Sequence, residues 1–240
     1  MKKGMQSDND VANFFDKIST NYDDKYDNDN SHVKFFFDYR MKIASQVELP
    51  KGSKILDIGA GTGKFYSYMK EIDETIDFYG TDISEGMINE SQIPNNRKFV
   101  GRSYDIDLPK NHFDAVYLLG VTTYMNKDEI HKVIEHALSL LKNDGYLIFT
   151  FSKRNLLNLS YKTSKNIFKH LKFKKSVIGQ NFSIYLYSIA YFKNLKIIKD
   201  NFGLVKAVPL NYIIFPLNYL LPKVNKWISM NLISKPQSPF

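Results

Sequence analysis

The sequence predicts an α/β fold in which a mostly parallel sheet is doubly wound, with helices on both faces. Three observations carry the prediction. The run Lys54-Ile-Leu-Asp-Ile58 has the composition of a buried parallel strand; glycines follow at 59, 61 and 63, then Phe65, Tyr66 and Met69 at helical spacing. A second apolar strand, residues 76–81, closes on Asp82, 25 residues after Asp57, which is one β-α-β repeat. Apolar strands at 113–120 and 146–151 then flank an amphipathic helix at 127–142, so strand and helix keep alternating.

The glycine turn is the chemical centre of the pattern. Glycine lets the backbone turn sharply and come within contact distance of a ligand, and the helix that follows aims its first amides the same way. Two other readings compete. A glycine turn can be punctuation between strand and helix. A nicotinamide or flavin site would need G-x-G-x-x-G, and here the third glycine falls one place early. Asp57 decides between them, because a carboxylate inside an apolar strand end is costly unless amides or a cationic ligand compensate it. Asp82, at the tip of the next strand, is placed to accept both hydroxyls of a ribose. An N-cap role for Asp82 or Ser84 is the alternative.

The string 54–63 resembles the first motif of class I S-adenosylmethionine-dependent methyltransferases, hydrophobic-h-D-h-G-x-G-x-G. The resemblance implies S-adenosyl-L-methionine as cofactor and a seven-stranded Rossmann-like sheet whose last strand is antiparallel. It implies that Asp57, Gly59, Ala60, Gly61 and Gly63 hold the amino-acid end of the cofactor and Asp82 the ribose. Asp82-Ile-Ser-Glu-Gly-Met87 resembles the second motif, with Ile83 and Met87 flanking adenine. Residues 103–109 resemble the turn whose acid bonds the adenine amino group. Tyr104 stands where that acid is usual, and Asp105 is the nearest carboxylate. Leu119 and Gly120, at the exit of the fourth strand, complete the expected cofactor surface. Thr123 and Tyr124 follow where relatives often carry a histidine base, and both are candidate catalytic residues. A threonine hydroxyl is a poor base, so the reaction either rests on proximity or finds its base elsewhere.

The remaining elements follow in order. Val11, Phe14, Phe15 and Ile18 mark a helix ending near Asn21, and Tyr22 stands where an aromatic residue covers the cofactor in the resembling family. A second helix is expected over His32 to Val47, and a short third strand over 98–102. In the helix 127–142, His131 and His136 lie off the apolar stripe and read as solvated; Lys142-Asn-Asp-Gly145 reads as its stop. Beyond 151 lie a basic stretch at 154–175, closing elements at 182–188, 189–201 and 203–208, and an apolar, lysine-dotted tail. The expected division is a helical lid, 1–45, a cofactor-binding core, 46–152, and a basic substrate-shaping region, 153–240.

Composition narrows the function further. Residues 151–240 hold 15 Lys and Arg against one acid, Asp200, while residues 1–150 hold 18 against 24. Either the last third faces an anionic partner or its lysines are solvated surface. The chain has no cysteine, so it has no disulfide partner and no thiolate metal site, which fits a reducing cytoplasm. No signal peptide or membrane span is apparent in the sequence, no metal-ligand spacing is recognisable, and no metal is expected. The expected function is methyl transfer to an oxygen or nitrogen of a small molecule; whether it is phosphate-bearing or lipid-linked stays open. The expected location is cytoplasmic, with contact at the inner face of the membrane as the lipid-linked variant. The rivals are an RNA methyltransferase, against which stands the lack of a nucleic-acid module, and a non-catalytic cofactor-binding partner protein.

Overall fold

The computed structural model describes residues 8–26, 32–151 and 187–203. The chain divides into two compact units, one of residues 1–23, 44–153 and 180–203, the other of 24–43, 154–179 and 204–240. The first unit carries the sheet. Its strands are β1 (Lys54–Ile58), β2 (Asp77–Asp82), β3 (Lys98–Val100), β4 (Phe113–Leu118) and β5 (Leu141–Phe149), all parallel, in the order β3-β2-β1-β4-β5. Its helices are α1 (Asp8–Ile18), α3 (Lys64–Ile72), α4 (Glu85–Asn89), α5 (Lys127–Leu140), α6 (Ile189–Asn194) and α7 (Lys196–Asn201). The second unit contains all but the last residue of α2 (His32–Ala44), where Phe35 stacks on Tyr39 and the Arg40 guanidinium lies 4.2 Å from the Phe37 ring centre.

Side-chain alternation explains why the central strands read as unbroken apolar runs. Both faces of the sheet are covered, so both sets of side chains must be apolar. On one face, Phe65 of α3 packs 4.8 Å from the Tyr117 ring and 6.1 Å from Phe78. On the other, Leu56, Ile58, Val116 and Leu118 cluster with Val133, Ala137 and Leu140 of α5. Full burial of a side chain such as Leu56 contributes about 1.5–3 kcal/mol. Helix α5 starts on a capping box: Asn126 accepts from the Asp128 and Glu129 amides, and Glu129 accepts from the Asn126 amide at 2.7 Å. Such a cap is worth about 1 kcal/mol. At the N-terminal edge, Asp114 accepts from the Lys54 amide at 2.8 Å and the Lys142 ammonium at 2.7 Å, tying β1, β4 and β5.

Parallel pairing puts every strand's C-terminus on one edge. The chain leaves β1 towards β2 and β3, then returns on the far side as β4. The order therefore reverses between β1 and β4, where ligands of open α/β sheets bind.

The described residues form five strands, all parallel; the segments 182–186 and 204–208, where the expected closing strands fall, lie outside the described residues. Other sequence expectations are corrected. Helix α5 stops at Leu140, and β5 begins at Leu141 rather than Tyr146. Leu141 is buried and extended, and it pairs with Phe113; the next pair is Ala115 with Tyr146. The turn residues Lys142–Gly145 thus lie inside a strand irregularity instead of ending a helix. The third strand ends at Val100, because Gly101 takes φ 132, which an extended strand does not continue through. Residues 189–201 break at Leu195, whose ψ of 122 is extended, into α6 and α7. His136 is half-buried, not solvated, and burial holds its pKa below the usual value. Among the described residues, no helix is long and apolar enough to cross a membrane.

Candidate functional site

The loop after β1 is stitched to the tip of β2. The Gly59 and Ala60 amides both donate to the Thr81 carbonyl, at 2.7 and 3.0 Å, and the Gly61 amide donates to Asp82 Oδ2 at 2.8 Å. Gly59 has φ 80, and a Cβ there would sit 2.1 Å from Val121 Cγ1 in the loop after β4. Gly61 has φ 55, and its Cβ would meet Met87 Cε at 3.2 Å; Gly63 has φ 78, and its Cβ would meet Ser91 Cβ at 2.9 Å. All three glycines lie in the left-handed region that side chains resist. The alternating glycines therefore serve two ends at once: the turn itself, and close approach of the loops after β1, β2 and β4.

Asp82 is the best-defined acid of the site. Oδ2 accepts from Gly61 and Oδ1 accepts from the Ser84 amide at 2.9 Å. A carboxylate has about four acceptor positions, so the Gly61 and Ser84 bonds, with a weaker contribution from the Ile83 amide, leave capacity for a ligand's hydroxyl. Desolvation pushes its pKa up to about 6; the Ser84 and Gly61 amides oppose that shift, and the Asp16 charge adds to it. Ser84, not Asp82, caps α4, accepting from the Met87 amide at 3.1 Å.

The sign of a pH effect follows. The folded protein keeps the Asp82 proton up to about pH 6, whereas the ordinary carboxyl value is 3.8. The stability that Asp82 contributes is therefore full below about pH 3.8 and lost as pH rises through about 6. A ligand that donates hydroxyls to the ionised carboxylate shows the opposite trend. S-adenosylhomocysteine affinity, measured by calorimetry from pH 5 to 8, is expected to rise through about pH 6 in the wild type. Asp82→Asn removes that rise.

Asp57, next to last in β1, is buried, at 3% exposure, with Gly80 and Tyr117 as its register neighbours. The Tyr117 hydroxyl is buried on the same face, and burial first, then the Asp57 charge, push its pKa up. Past β4, Leu119 is buried, and the Gly120 amide (φ 89) donates to Thr150 Oγ1 at 2.7 Å. Thr122 is buried too, its hydroxyl donating to the Thr150 carbonyl at 2.6 Å. Thr123 and Tyr124 are half-buried beyond it, in the short 3-10 turn Thr122–Tyr124. The loop is anchored again where the Tyr187 hydroxyl donates to the Met125 carbonyl at 2.6 Å.

The N-terminal segment reaches this edge from outside the sheet. Phe15 of α1 meets both Tyr22, at 6.1 Å, and Tyr124, at 5.4 Å, so two predicted residues far apart in sequence share one aromatic neighbour. Asp16 Oδ1 accepts from the Ser84 hydroxyl at 2.5 Å and the Gly86 amide at 2.9 Å. Asp23 accepts from the Thr62 hydroxyl at 2.8 Å and pairs with Lys64 at 3.1 Å. The sequence assigned neither acid a partner, because the partners lie 39 to 70 residues away. Ile83 is half-buried and Met87 buried, on the turn that Asp82 opens. Tyr104 is half-buried between Arg102 and Lys132 against the α5-side core; Asp105 is exposed.

A family model described as a methyltransferase domain matches residues 30–177. The chain belongs to that family, the class I S-adenosylmethionine-dependent methyltransferases, whose cofactor is S-adenosylmethionine. It is similar to a phosphoethanolamine N-methyltransferase of Plasmodium falciparum, 30% identical over 114 residues that make up 45% of this chain and 42% of that one. Among solved structures, the chain bound to the Haloferax volcanii Trm112 methyltransferase activator shares the fold at TM-score 0.60 and 14% identity, over 91% of this chain and 87% of that one. Phosphoethanolamine N-methyltransferase 1 of Haemonchus contortus, solved with phosphoethanolamine and S-adenosylhomocysteine, does so at TM-score 0.56 and 20% identity, over 80% and 41%. The chain spans about half the length of the relatives it matches.

The residues present fit this cofactor. A half-buried carboxylate held by backbone amides suits a vicinal diol, and a turn of three glycines at positive φ can bring its backbone amides against a ligand.

Proposed function

We propose that the protein transfers a methyl group from S-adenosylmethionine to a nitrogen or oxygen of a small, phosphate-bearing acceptor. The observation that carries the reading is Asp82, at the C-terminal tip of β2 and clamped by the Gly61 amide of the loop after β1 and by the Ser84 amide, beside the point where the strand order reverses. In this reading Asp82 accepts the ribose hydroxyls, and Asp57 with the loop 59–63 receives the amino-acid end. Ile83 and Met87 border the adenine, with Leu119 and Gly120 beneath the cofactor and Tyr22 covering it. When bound, the cofactor supplies a methyl already activated as a sulfonium. The chain's own part is then alignment, near-attack distance and exclusion of water, with Thr123 and Tyr124 lining the face where acceptor and methyl meet.

The choice of acceptor rests on charge. The 15 basic residues against one acid in 151–240 would draw a phosphate towards the region that we assign to acceptor binding. Two relatives are named for phosphoethanolamine, which carries a phosphate and an amine. Transfer of labelled methyl is to be compared for phosphoethanolamine, ethanolamine and RNA. The phosphorylated amine is expected to react best. Its kcat/KM should fall several-fold as salt rises from about 0.01 M to 0.15 M, where the Debye length shrinks from about 30 to about 8 Å. Replacing Lys172, Lys174 and Lys175 by Gln should mimic the high-salt rate. Equal rates for charged and uncharged amines would overturn the acceptor assignment, preference for RNA would favour the RNA rival, and cofactor binding without any transfer would favour the non-catalytic one.

A further inference from the structure

The residues that the sequence left unassigned, Asp16 and Asp23, stand at the two ends of one short segment, and their partners define what that segment does. Asp16 takes the Ser84 hydroxyl and the Gly86 amide, at the N-cap and in the first turn of α4, just after β2. Asp23 takes the Thr62 hydroxyl and Lys64, both on the glycine loop at the start of α3. These are the two loops that carry the proposed ribose and amino-acid contacts. Ser84 makes the first link direct: its hydroxyl donates to Asp16 while its amide donates to Asp82 Oδ1, so one fully buried serine spans the two carboxylates.

Backbone packing says the same without any side-chain bond. A Cβ added at Gly86 would lie 2.9 Å from Ser19 Oγ, 3.1 Å from Asp16 Cα and 3.3 Å from the Asp16 carbonyl. Helix α1 therefore rests on the first turn of α4 at a distance that only glycine allows. Ser19 is buried there and folds its hydroxyl back onto the Asp16 carbonyl at 3.1 Å.

We infer that residues 16–23 form a two-point clasp, with Asp16 and Asp23 as positioning residues that hold the two cofactor loops at the spacing the cofactor needs. The inference rests on the cofactor assignment above. Neither acid touches the ligand in this account; each acts through the loop it grips. By linkage, a ligand that needs the loops in place must in turn stabilise the clasp, since coupling between two events is reciprocal.

The test uses the full chain and S-adenosylhomocysteine as probe, at a temperature where each variant is folded. Asp16→Ala is expected to weaken binding about tenfold, the loss of hydrogen bonds to a charged acceptor. Asp16→Asn keeps an oxygen for both donors and should bind within about twofold of wild type, a rescue that charge alone would not give. Gly86→Ala removes no hydrogen-bonding group yet should reproduce the Asp16→Ala loss by pushing α1 away. Hydrogen exchange supplies an independent reading on the unmodified protein: the amides of α1 should gain protection when the probe binds. If wild type does not bind the probe, the cofactor assignment has failed. If wild type binds but Asp16→Ala binds equally well while folded, or α1 gains no protection, the clasp is overturned and the segment is ordinary packing.

Discussion

Replacing Gly59 by Ala is expected to cost the fold about 3 kcal/mol or more and to remove measurable cofactor binding. Two separate penalties add. At φ 80 a side chain is held in a conformation that costs L-residues about 1–2 kcal/mol. The new Cβ would also lie 2.1 Å from Val121 Cγ1 and 3.2 Å from Val121 Cβ. Valine is branched at Cβ and has one preferred rotamer, so it cannot swing clear as a flexible chain could. The backbone must move instead, which disturbs the Gly59 and Ala60 bonds to Thr81 and so the base of the whole loop. The double variant Gly59→Ala with Val121→Ala removes the Val121 Cγ1 overlap but keeps the tight 3.2 Å approach to Cβ and the backbone strain, so it should recover only part of the stability. Gly203→Ala is the control, since none of the described residues lies within 4 Å of its Cβ position. Denaturant unfolding and calorimetry on this set check the prediction. A Gly59→Ala protein of wild-type stability would mean that the loop is far looser than its hydrogen bonds indicate.

The second large effect is expected from Asp82→Ala. Loss of the ribose acceptor alone would cost about 1–3 kcal/mol, the usual range for hydrogen bonds to a charged group. Here the carboxylate also receives the Gly61 and Ser84 amides, so its removal leaves two backbone donors without their acceptor and frees both loops. Affinity for S-adenosylhomocysteine should therefore drop at least thirtyfold, about 2 kcal/mol. Asp82→Asn does not repair this, because its amide nitrogen must face one of the two donors. Within about threefold of wild-type affinity, Asp82→Ala would dismiss the ribose assignment.

The parts of this site that were legible in the sequence are those built from local rules. Glycines at every second position after an apolar strand can be read because φ above zero is a property of single residues. Asp57 and Asp82 stood out because an acid at the end of an apolar strand needs compensation, and the structure supplies amides at Asp82. The clasp residues were illegible for the opposite reason. Asp16 lies on an amphipathic helix between Phe15 and Lys17, and nothing within ten residues indicates that its partners are Ser84 and Gly86. The start of β5 was misplaced because Lys142-Asn-Asp-Gly145 is a good turn in isolation. What overrides it is the burial of Leu141 against Phe113 and α5, a tertiary gain that no local signal encodes. His136 was misread similarly: it lies off the helix's main stripe, yet the turn Ser103–Asp105 covers that side, and Ser103 bonds to it.

The central claim is that the edge between β1 and β4 binds an adenosyl cofactor through the glycine loop and Asp82. Titration calorimetry of the purified wild-type protein with S-adenosylhomocysteine at pH 7.5 tests it directly. The account predicts a single site per chain with Kd of about 1–100 μM, near −5.5 to −8.2 kcal/mol, and no heat with NADH. Saturation by NADH, or no binding of S-adenosylhomocysteine by a protein shown to be folded, would contradict it.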